Sequence, residues 1–182
     1  MLRWVLLGFV VVLVISVVAL YNGLVKLRNR IEGAWAQIDV QLRRRYDLVP
    51  NLVETVKGYA DHERDALEAV TRARTAAVDA GGPAEQARAN DALTSALRSL
   101  FAVSEAYPDL KSNQGYLQLQ EELSSTEGRI AYARQFYNDT VLRYNTKIQS
   151  FPSLLLAGPL QFRPREYFEL EGTGRGPVQV DF

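Results

Sequence analysis

The sequence contains no cysteine and a single histidine, His62, among its 182 residues. Without cysteine the chain has no disulfide bond, thiolate zinc site, cysteine nucleophile or lipid attached through an N-terminal cysteine. The histidine stands beside Asp61, Glu63 and Asp65 in "ADHERDALE". Neighbouring residues of a helix point in different directions, so these side chains do not converge on a metal ion. We interpret this stretch as a solvated helix face and predict no metal site and no cofactor.

The chain also lacks the loops that commonly hold a phosphate group or a nucleophilic serine. Gly81 and Gly82 are followed by Pro83 without a neighbouring lysine, which is not the pattern of a phosphate-binding loop. Ser99 and Ser104 have no flanking glycines, whereas a nucleophile elbow requires them. The sequence therefore predicts no catalytic residue and no cofactor-binding residue. We expect that the protein is not an enzyme.

Neither sign of charge is in excess, since 21 lysines and arginines balance 21 aspartates and glutamates. A protein without net positive charge has no long-range field that would attract a polyanion. We therefore do not expect nucleic acid as a partner.

What the chain does have is a long apolar segment near the N-terminus, "WVLLGFVVVLVISVVAL" at 4–20, which carries no charge. A bilayer core about 30 Å thick needs about 20 apolar residues in a helix, and residues 2–21 are just sufficient. We predict a single-pass transmembrane anchor over residues 1–21, in contact with membrane lipid, in the cell (inner) membrane. A cleaved signal peptide is the alternative, because Val17 and Ala19 satisfy the small-residue rule for cleavage.

Basic residues on the two sides of this segment indicate its orientation. Arg3 precedes it, whereas Lys26, Arg28 and Arg30 follow it closely. Because basic flanks tend to stay in the cytoplasm, this asymmetry predicts an external N-terminus and a cytoplasmic domain.

After the anchor, apolar residues recur at alternating spacings of three and four, which is the pattern of one buried helix face. The stripe contains Leu24, Leu27, Ile31, Trp35, Ile38, Leu42, Arg45, Val49, Leu52, Val56 and Tyr59. We predict a first helix that ends near Asp79, a second from Ala84 to Glu105, and a third from Asn113 to Ser150. Short turns between them predict an all-α fold, in which the transmembrane helix is followed by an elongated antiparallel up-and-down bundle of long helices over residues 22–151.

Proline and glycine become frequent after Pro152, so no long helix is expected there. Residues 152–170 nevertheless contain too many large apolar residues for a solvated linker. Together with Phe151 at the end of the third helix, they are Leu154, Leu155, Leu156, Leu160, Phe162, Tyr167 and Phe168. We predict an irregular segment over 152–170 that packs on the bundle, and a loose tail over 171–182.

The stretch "QLRRRYDLVPNLVETV" (41–56) places a proline within the helical stripe. Pro50 lacks an amide hydrogen and clashes with the carbonyl group of Tyr46, so a straight helix cannot pass it unperturbed. The pattern predicts a joint, which is either a kink in one helix or a new helix capped by Asp47.

The same stretch contains three arginines. Arg45 lies at an inward position of the stripe, where an unpaired charge is costly. Glu127 also falls on the apolar face of its helix, and we hypothesise an interhelical pair of Arg45 with Glu127. We expect Arg43 and Arg44 to lie outside.

These residues resemble the LemA family. The resemblance is carried by the N-terminal membrane helix, by "YNGLVKLRNRIEGAWAQIDVQLRRRYDLVPNLVETVKGYADHE" (21–63), by "RIAYARQFYNDTVLRYNTKIQSFPS" (129–153) and by "EYFE" (166–169). Its most specific part is the run from Arg44 to Asn51. The resemblance implies a bacterial, membrane-anchored protein with an elongated antiparallel helical domain and an external N-terminus, and it transfers no catalytic activity to any residue of this chain.

Three functions are compatible with these observations. We favour a membrane-anchored, non-enzymatic helical scaffold that binds other membrane or membrane-proximal proteins, or a second copy of itself. The alternative is a lipid-surface or membrane-shaping oligomer in which Lys26, Arg28 and Arg30 bind anionic headgroups. The third is a hydrolase whose carboxylates meet only on folding, such as Glu121, Glu122 and Asp61.

Overall fold

The fold is all-α, as predicted from the spacing of apolar residues. A computed structural model describes residues 1–60 and 62–168, and the regular elements in these two ranges are all helices. They are α1 (Leu2–Lys57), α2 (Arg64–Asp79), α3 (Pro83–Ser104), α4 (Pro108–Lys111), α5 (Gln114–Gln149) and α6 (Leu154–Ala157). The predicted tail at 171–182 lies outside the described residues, and so does Asp61.

Helix α1 changes character along its length. Its residues 2–19 are exposed. This part of the helix is long enough and apolar enough to be a candidate membrane span. From Leu24 onward one residue in every three or four is buried, as at Ile31, Ile38 and Leu42. This spacing follows from about 3.6 residues per helical turn, so one helix is a candidate membrane span at one end and a core helix at the other.

The prediction of a first helix that continues to Asp79 is wrong, because α1 and α2 are separate helices divided by residues 58–63. Gly58 follows α1, and glycine commonly terminates a helix. The helix end tightens there, since the amide of Tyr59 donates to the carbonyl oxygen of Val56 at 3.0 Å, the bond of a 3₁₀ turn. Tyr59, which we placed in the buried stripe, is exposed as a result.

The second and third predicted helices correspond to α3 and α5 and differ from them by one residue at each end. Pro83 occupies the first turn of α3, where the missing amide hydrogen removes no intrahelical bond. The short helix α4 between them was not predicted.

The chain is divided into two compact units. Unit 1 contains residues 1–36 and 136–166, and unit 2 contains residues 37–135 with the described residues 167–168. In unit 1, α1 packs against α5, and the rings of Trp35 and Tyr137 lie 5.6 Å apart. The core of unit 1 includes Leu24, Ile31, Ala34, Tyr137, Val141, Tyr144, Ile148, Ala157 and Phe162.

Unit 2 combines parts of α1 and α5 with α2 and α3. The short helix α4 also belongs to this unit, and polar contacts join α1 to α2, α3 and α5. Its apolar core includes Ile38, Leu42, Val49, Leu52, Val56, Leu67, Val70, Leu93, Leu97, Leu100, Leu123 and Ile130. Most of these are positions that a period of three and four selects, so the helical pattern alone determines which side chains face inward.

In unit 1 the chain leaves α6 through a defined turn. The amide of Phe162 donates to Ala157 O at 2.9 Å, and the amide of Gln161 donates to Gly158 O at 3.0 Å. These paired bonds form a Schellman motif, whose left-handed residue is usually glycine. Here Gln161 takes that position with φ of 57°, and the turn directs the buried ring of Phe162 into the core of unit 1.

The apolar residues of this region are not all buried. Phe151, which we placed at the end of the third helix together with the apolar residues of the packed segment, is 78% exposed, and Leu154, Leu155 and Leu160 are exposed as well. Helix α5 ends at Gln149, so its helical period no longer determines which way Phe151 points.

Candidate functional site

Arg45 is the centre of a buried polar cluster in unit 2. Only 1% of its surface is exposed. Its Nη1 donates to Asn90 Oδ1 at 2.9 Å, and its Nη2 lies 3.7 Å from Glu127 Oε2. The hypothesised pair of Arg45 with Glu127 is therefore confirmed. Burial lowers the pKa of Arg45 and the Glu127 carboxylate opposes this by raising it, because a nearby anion favours the charged guanidinium.

Sequence reasoning missed Asn90, the second partner of this arginine. Asn90 precedes Leu93, Leu97 and Leu100 at the spacing of three and four that defines the buried face of α3. A polar amide at an apolar position of that stripe was the signal, since buried amides require hydrogen-bond partners.

The other two arginines of the stretch lie outside, as expected. Arg43 Nε is 3.0 Å from Asp39 Oδ2, one helical turn earlier. Arg44 Nη2 is 3.4 Å from Glu122 Oε2. Exposed pairs of this kind contribute little to stability, so the three consecutive arginines have one structural member and two surface members.

The joint at Pro50 is a single helix, because α1 continues without interruption to Lys57. The alternative of a new helix capped by Asp47 is wrong. Pro50 has no amide hydrogen to donate to the carbonyl oxygen of Tyr46, and Arg74 Nε from α2 donates to that oxygen instead at 2.7 Å. A charged donor thus replaces the lost helical bond, as an unpaired carbonyl in a packed region requires.

Tyr46 itself ties α1 to a third helix. Its buried hydroxyl donates to Gln86 Oε1 of α3 at 3.1 Å, and burial raises the pKa of Tyr46 to about 12. The hydroxyl therefore stays protonated as a donor at neutral pH. The joint is a structural contact among α1, α2 and α3.

The hydrolase hypothesis gains no support from the described carboxylates. Glu122 faces Arg44, Glu121 is exposed beside it, and Asp61 lies outside the described residues. His62 is exposed. Within residues 1–60 and 62–168, no group of three or more histidine, aspartate and glutamate side chains is placed to hold a metal ion.

A second arginine cluster lines a pocket in unit 1. The pocket has a volume of about 420 Å³ and is walled by Arg28, Tyr144, Gln161, Phe162, Arg163, Pro164 and Arg165. Arg28 extends over the ring of Phe162, with its Cζ 5.9 Å from the ring centroid, a cation–π arrangement. No carboxylate is among these lining residues, so the wall of the pocket is basic.

Asn145 on α5 holds one wall of this arginine pocket. Its Nδ2 donates to Arg165 O at 2.9 Å, and its Oδ1 accepts from the amide of Arg165 at 2.8 Å. The side-chain amide thus binds the backbone of Arg165 as a neighbouring strand would. Nearby, the buried hydroxyl of Tyr137 donates to Glu166 O at 2.9 Å, and burial raises the pKa of Tyr137 to about 12.

Only one of the three arginines of this pocket was identified from the sequence. Arg28 belongs to the basic flank of the anchor, together with Lys26, which is exposed, and Arg30, whose Cζ lies 5.5 Å from the ring centroid of Phe136. Arg163 and Arg165 alternate around Pro164, and this "RPR" pattern was the available signal. Its position beside Arg28 depends on the turn after α6, which no local pattern predicts.

Comparison with known proteins decides the family. The family model described as "LemA family" matches residues 34–182. The chain belongs to the LemA family. The resemblance read from the sequence is thereby confirmed.

Several relatives of this LemA-family chain are similar over most of its length. Magnetosome protein MamQ 2 of Paramagnetospirillum magneticum is 28% identical over 94% of the chain and 75% of the relative. Protein LemA of Metamycoplasma hominis is 29% identical over 88% of the chain and 73% of the relative. Magnetosome protein MamQ of Magnetospirillum gryphiswaldense is 26% identical, with 87% and 68% covered.

None of these names describes a catalysed reaction. The family and the exposed apolar part of α1 together identify a membrane-associated protein.

Proposed function

We propose that this LemA-family chain is a membrane-anchored, non-enzymatic scaffold that binds other membrane or membrane-proximal proteins, or a second copy of itself. The observation that carries the proposal is the continuity of α1. One helix runs from exposed apolar residues 2–19 into buried core positions that begin at Leu24. The membrane segment and the bundle are therefore joined without a flexible linker.

A scaffold role also agrees with the use of the polar residues in unit 2. The buried guanidinium of Arg45 is occupied by Asn90 and Glu127, and the carbonyl oxygen of Tyr46 is occupied by Arg74. Polar groups that contact neighbouring helices in this way serve packing rather than the activation of a substrate. They support a rigid bundle whose outer surface carries the function.

The exposed surface of α5 offers an aromatic contact for a partner. Tyr132 is 75% exposed, and tyrosine is enriched among the residues that dominate protein interfaces.

Because the chain has no cysteine, a cysteine at the exposed neighbour Gln135 can report contact there. We expect Gln135→Cys, labelled in membranes with a maleimide–benzophenone and irradiated, to give a discrete adduct, because the benzophenone couples to C–H bonds of a neighbour and needs no second thiol. Tyr132→Ala in the same background should lower the yield of this adduct about tenfold.

The matched control for Tyr132→Ala is Leu117→Ala, which removes another exposed apolar side chain from α5. It should leave the yield of the adduct unchanged. Absence of any adduct from Gln135→Cys, or equal losses in the two alanine variants, would contradict a protein contact at Tyr132. The mass of the adduct distinguishes a second copy of the chain from another protein.

We also propose that the bundle is cytoplasmic and the N-terminus external, because Lys26, Arg28 and Arg30 outnumber Arg3. Gly81 is the place for a probe, since it is exposed and a Cβ there meets only Glu85 Oε2 at 3.7 Å. We expect Gly81→Cys to react with a membrane-impermeant maleimide only after cell lysis. Labelling of Gly81→Cys in intact cells would contradict this proposal and place the bundle outside the cytoplasm.

The neighbouring glycine is unsuitable for this labelling experiment. Gly82 has a φ of 82°, a backbone conformation that residues other than glycine rarely adopt. The reaction of Gly81→Cys after lysis serves as the internal control, because it shows that the thiol is accessible once the membrane is open.

A further inference from the structure

The pocket lined by Arg28, Arg163 and Arg165 lies close to the end of the apolar part of α1. The ring of Tyr21, where that part ends, packs edge-on against the ring of Phe162 with 5.8 Å between centroids. A helix from residue 2 to Tyr21 spans about 30 Å, the thickness of the hydrocarbon core. If α1 crosses a bilayer, Phe162 therefore lies at the level of the lipid headgroups, where aromatic residues concentrate.

The segment next to Phe162 exposes more apolar surface than a soluble domain needs. Phe151, Leu154, Leu155 and Leu160 are all large and exposed, and they fall within a short stretch of chain. Single exposed apolar residues are ordinary, but four large ones within ten residues of chain are typical of a segment that contacts an apolar partner or a membrane. The same stretch of chain contains Phe162, which packs on Tyr21 at the end of the apolar part of α1.

The arginines supply what such a surface needs to contact headgroups. Arg28 lies two helical turns beyond Tyr21, about 10 Å along the helix axis, and its long side chain can reach back towards the interface. Guanidinium groups bind phosphate through two parallel hydrogen bonds. Arg163 and Arg165 line the same pocket as Arg28, so three arginines surround a space of about 420 Å³, which is large enough for one phosphate group.

Among residues 1–60 and 62–168, the acidic residues near this pocket do not neutralise it. Glu32 Oε1 lies 3.7 Å from Arg165 Nη2, and both side chains are partly exposed. Glu166 is exposed and does not line the pocket. With one of three arginines paired to a carboxylate, the pocket keeps a positive charge that complements a phosphate diester.

We propose that residues 151–165 form an interfacial segment that lies in the headgroup layer of the bilayer crossed by α1, with its exposed apolar side chains entering the interface and Arg28, Arg163 and Arg165 binding the phosphate of an anionic phospholipid. This inference rests on the proposed anchoring through α1. It assigns anionic phospholipid as the ligand of Arg28, which the sequence identified as part of the basic flank, and of Arg163 and Arg165, which the sequence did not identify. It also accounts for the exposure of Phe151 and its neighbours.

The test uses the full chain reconstituted in vesicles. Leu155→Cys introduces a single thiol that takes a fluorophore, and lipids with brominated chains quench the fluorophore when it enters the interface. We expect quenching at residue 155, and about twice as much in vesicles containing phosphatidylglycerol as in pure phosphatidylcholine. A label at Leu142→Cys, exposed on α5 of the same unit, lies about 10 Å before the end of that helix and should not be quenched.

Two triple variants examine the pocket. Replacing Arg28, Arg163 and Arg165 by glutamine should reduce quenching at residue 155 in phosphatidylglycerol vesicles to the level in phosphatidylcholine. Replacing the same three arginines by lysine keeps the charge but not the paired hydrogen bonds. This variant should recover less than half of the difference in quenching between phosphatidylglycerol and phosphatidylcholine vesicles. Full restoration by lysine would overturn binding in the pocket and leave only diffuse attraction.

The remaining outcomes separate this proposal from the anchoring itself. A chain that floats with the vesicles but shows no quenching at residue 155 would overturn the interfacial segment and leave the anchor intact. A chain that fails to float would overturn both. If inorganic phosphate abolishes the effect of phosphatidylglycerol at equal ionic strength, the ligand is soluble phosphate and the assignment to a lipid is overturned.

Discussion

Replacing Arg45 by alanine should lower the free energy of unfolding of the bundle by about 2–4 kcal/mol. The side chain is among the largest of the fully buried ones, so its loss leaves a cavity where the surrounding helices cannot collapse completely. It also removes the donor to Asn90 Oδ1, and a buried amide oxygen without a partner is itself costly. Guanidinium unfolding of the full chain in mild detergent, followed by circular dichroism, measures the effect.

The neighbouring arginine provides a matched control for this substitution. Arg44 is exposed and lies 3.4 Å from Glu122, so Arg44→Ala should cost less than about 1 kcal/mol. Arg45→Met keeps most of the volume while removing the charge, and should fall between the two, because only the hydrogen bond and its desolvation are then lost. Equal unfolding midpoints for Arg45→Ala and Arg44→Ala would contradict a structural role for the buried cluster.

The pairing of Arg45 with Glu127 could be predicted because helical periodicity is a strong constraint. A spacing of three and four residues determines the face on which each side chain lies. A charge on the buried face must find an opposite charge or a polar partner. The same rule predicted α3 and α5 almost to the residue. Where periodicity stops, at Phe151 beyond the end of α5, the prediction of burial was wrong.

The end of α1 shows a different limit of sequence reasoning. The apolar stripe continues past Gly58 in phase, and a single glycine within a helical pattern is often tolerated. In the structure α1 ends at Lys57 and a separate helix α2 begins at Arg64, and α2 packs in unit 2. That choice depends on contacts between helices and not on local preference.

The joint and the arginine pocket depend on residues that are distant in sequence. The donor that replaces the missing amide of Pro50 is Arg74, 28 residues from the carbonyl of Tyr46. The pocket forms because Gln161 adopts a left-handed conformation that normally indicates glycine. Neither Arg74 nor Gln161 carries a sequence signal for its role. The sequence therefore predicted the joint at Pro50 but not the donor that replaces the missing helical hydrogen bond.

The second large effect concerns the backbone of Arg165. Replacing Asn145 by alanine removes two hydrogen bonds at once, at 2.9 Å and 2.8 Å, and leaves the amide and carbonyl of Arg165 without these partners. The loss of local stability should be about 2 kcal/mol, which raises the population of the detached segment about 30-fold. Trypsin should therefore cleave after Arg165 about 30 times faster when local opening precedes cleavage. The bond after Arg163 is protected by Pro164 in either case.

Thr146→Ala is the control for Asn145→Ala, because Thr146 is the exposed next residue of α5 and should leave cleavage after Arg165 unchanged. An increase of less than about threefold in Asn145→Ala would show that other contacts, such as the hydroxyl of Tyr137 on Glu166 O, hold the segment alone. The result also bears on the arginine pocket. Since Asn145 fixes the backbone of Arg165 and is not among the residues that line the pocket, the loss of lipid-dependent quenching in Asn145→Ala would indicate that the pocket must be preassembled to bind phosphate.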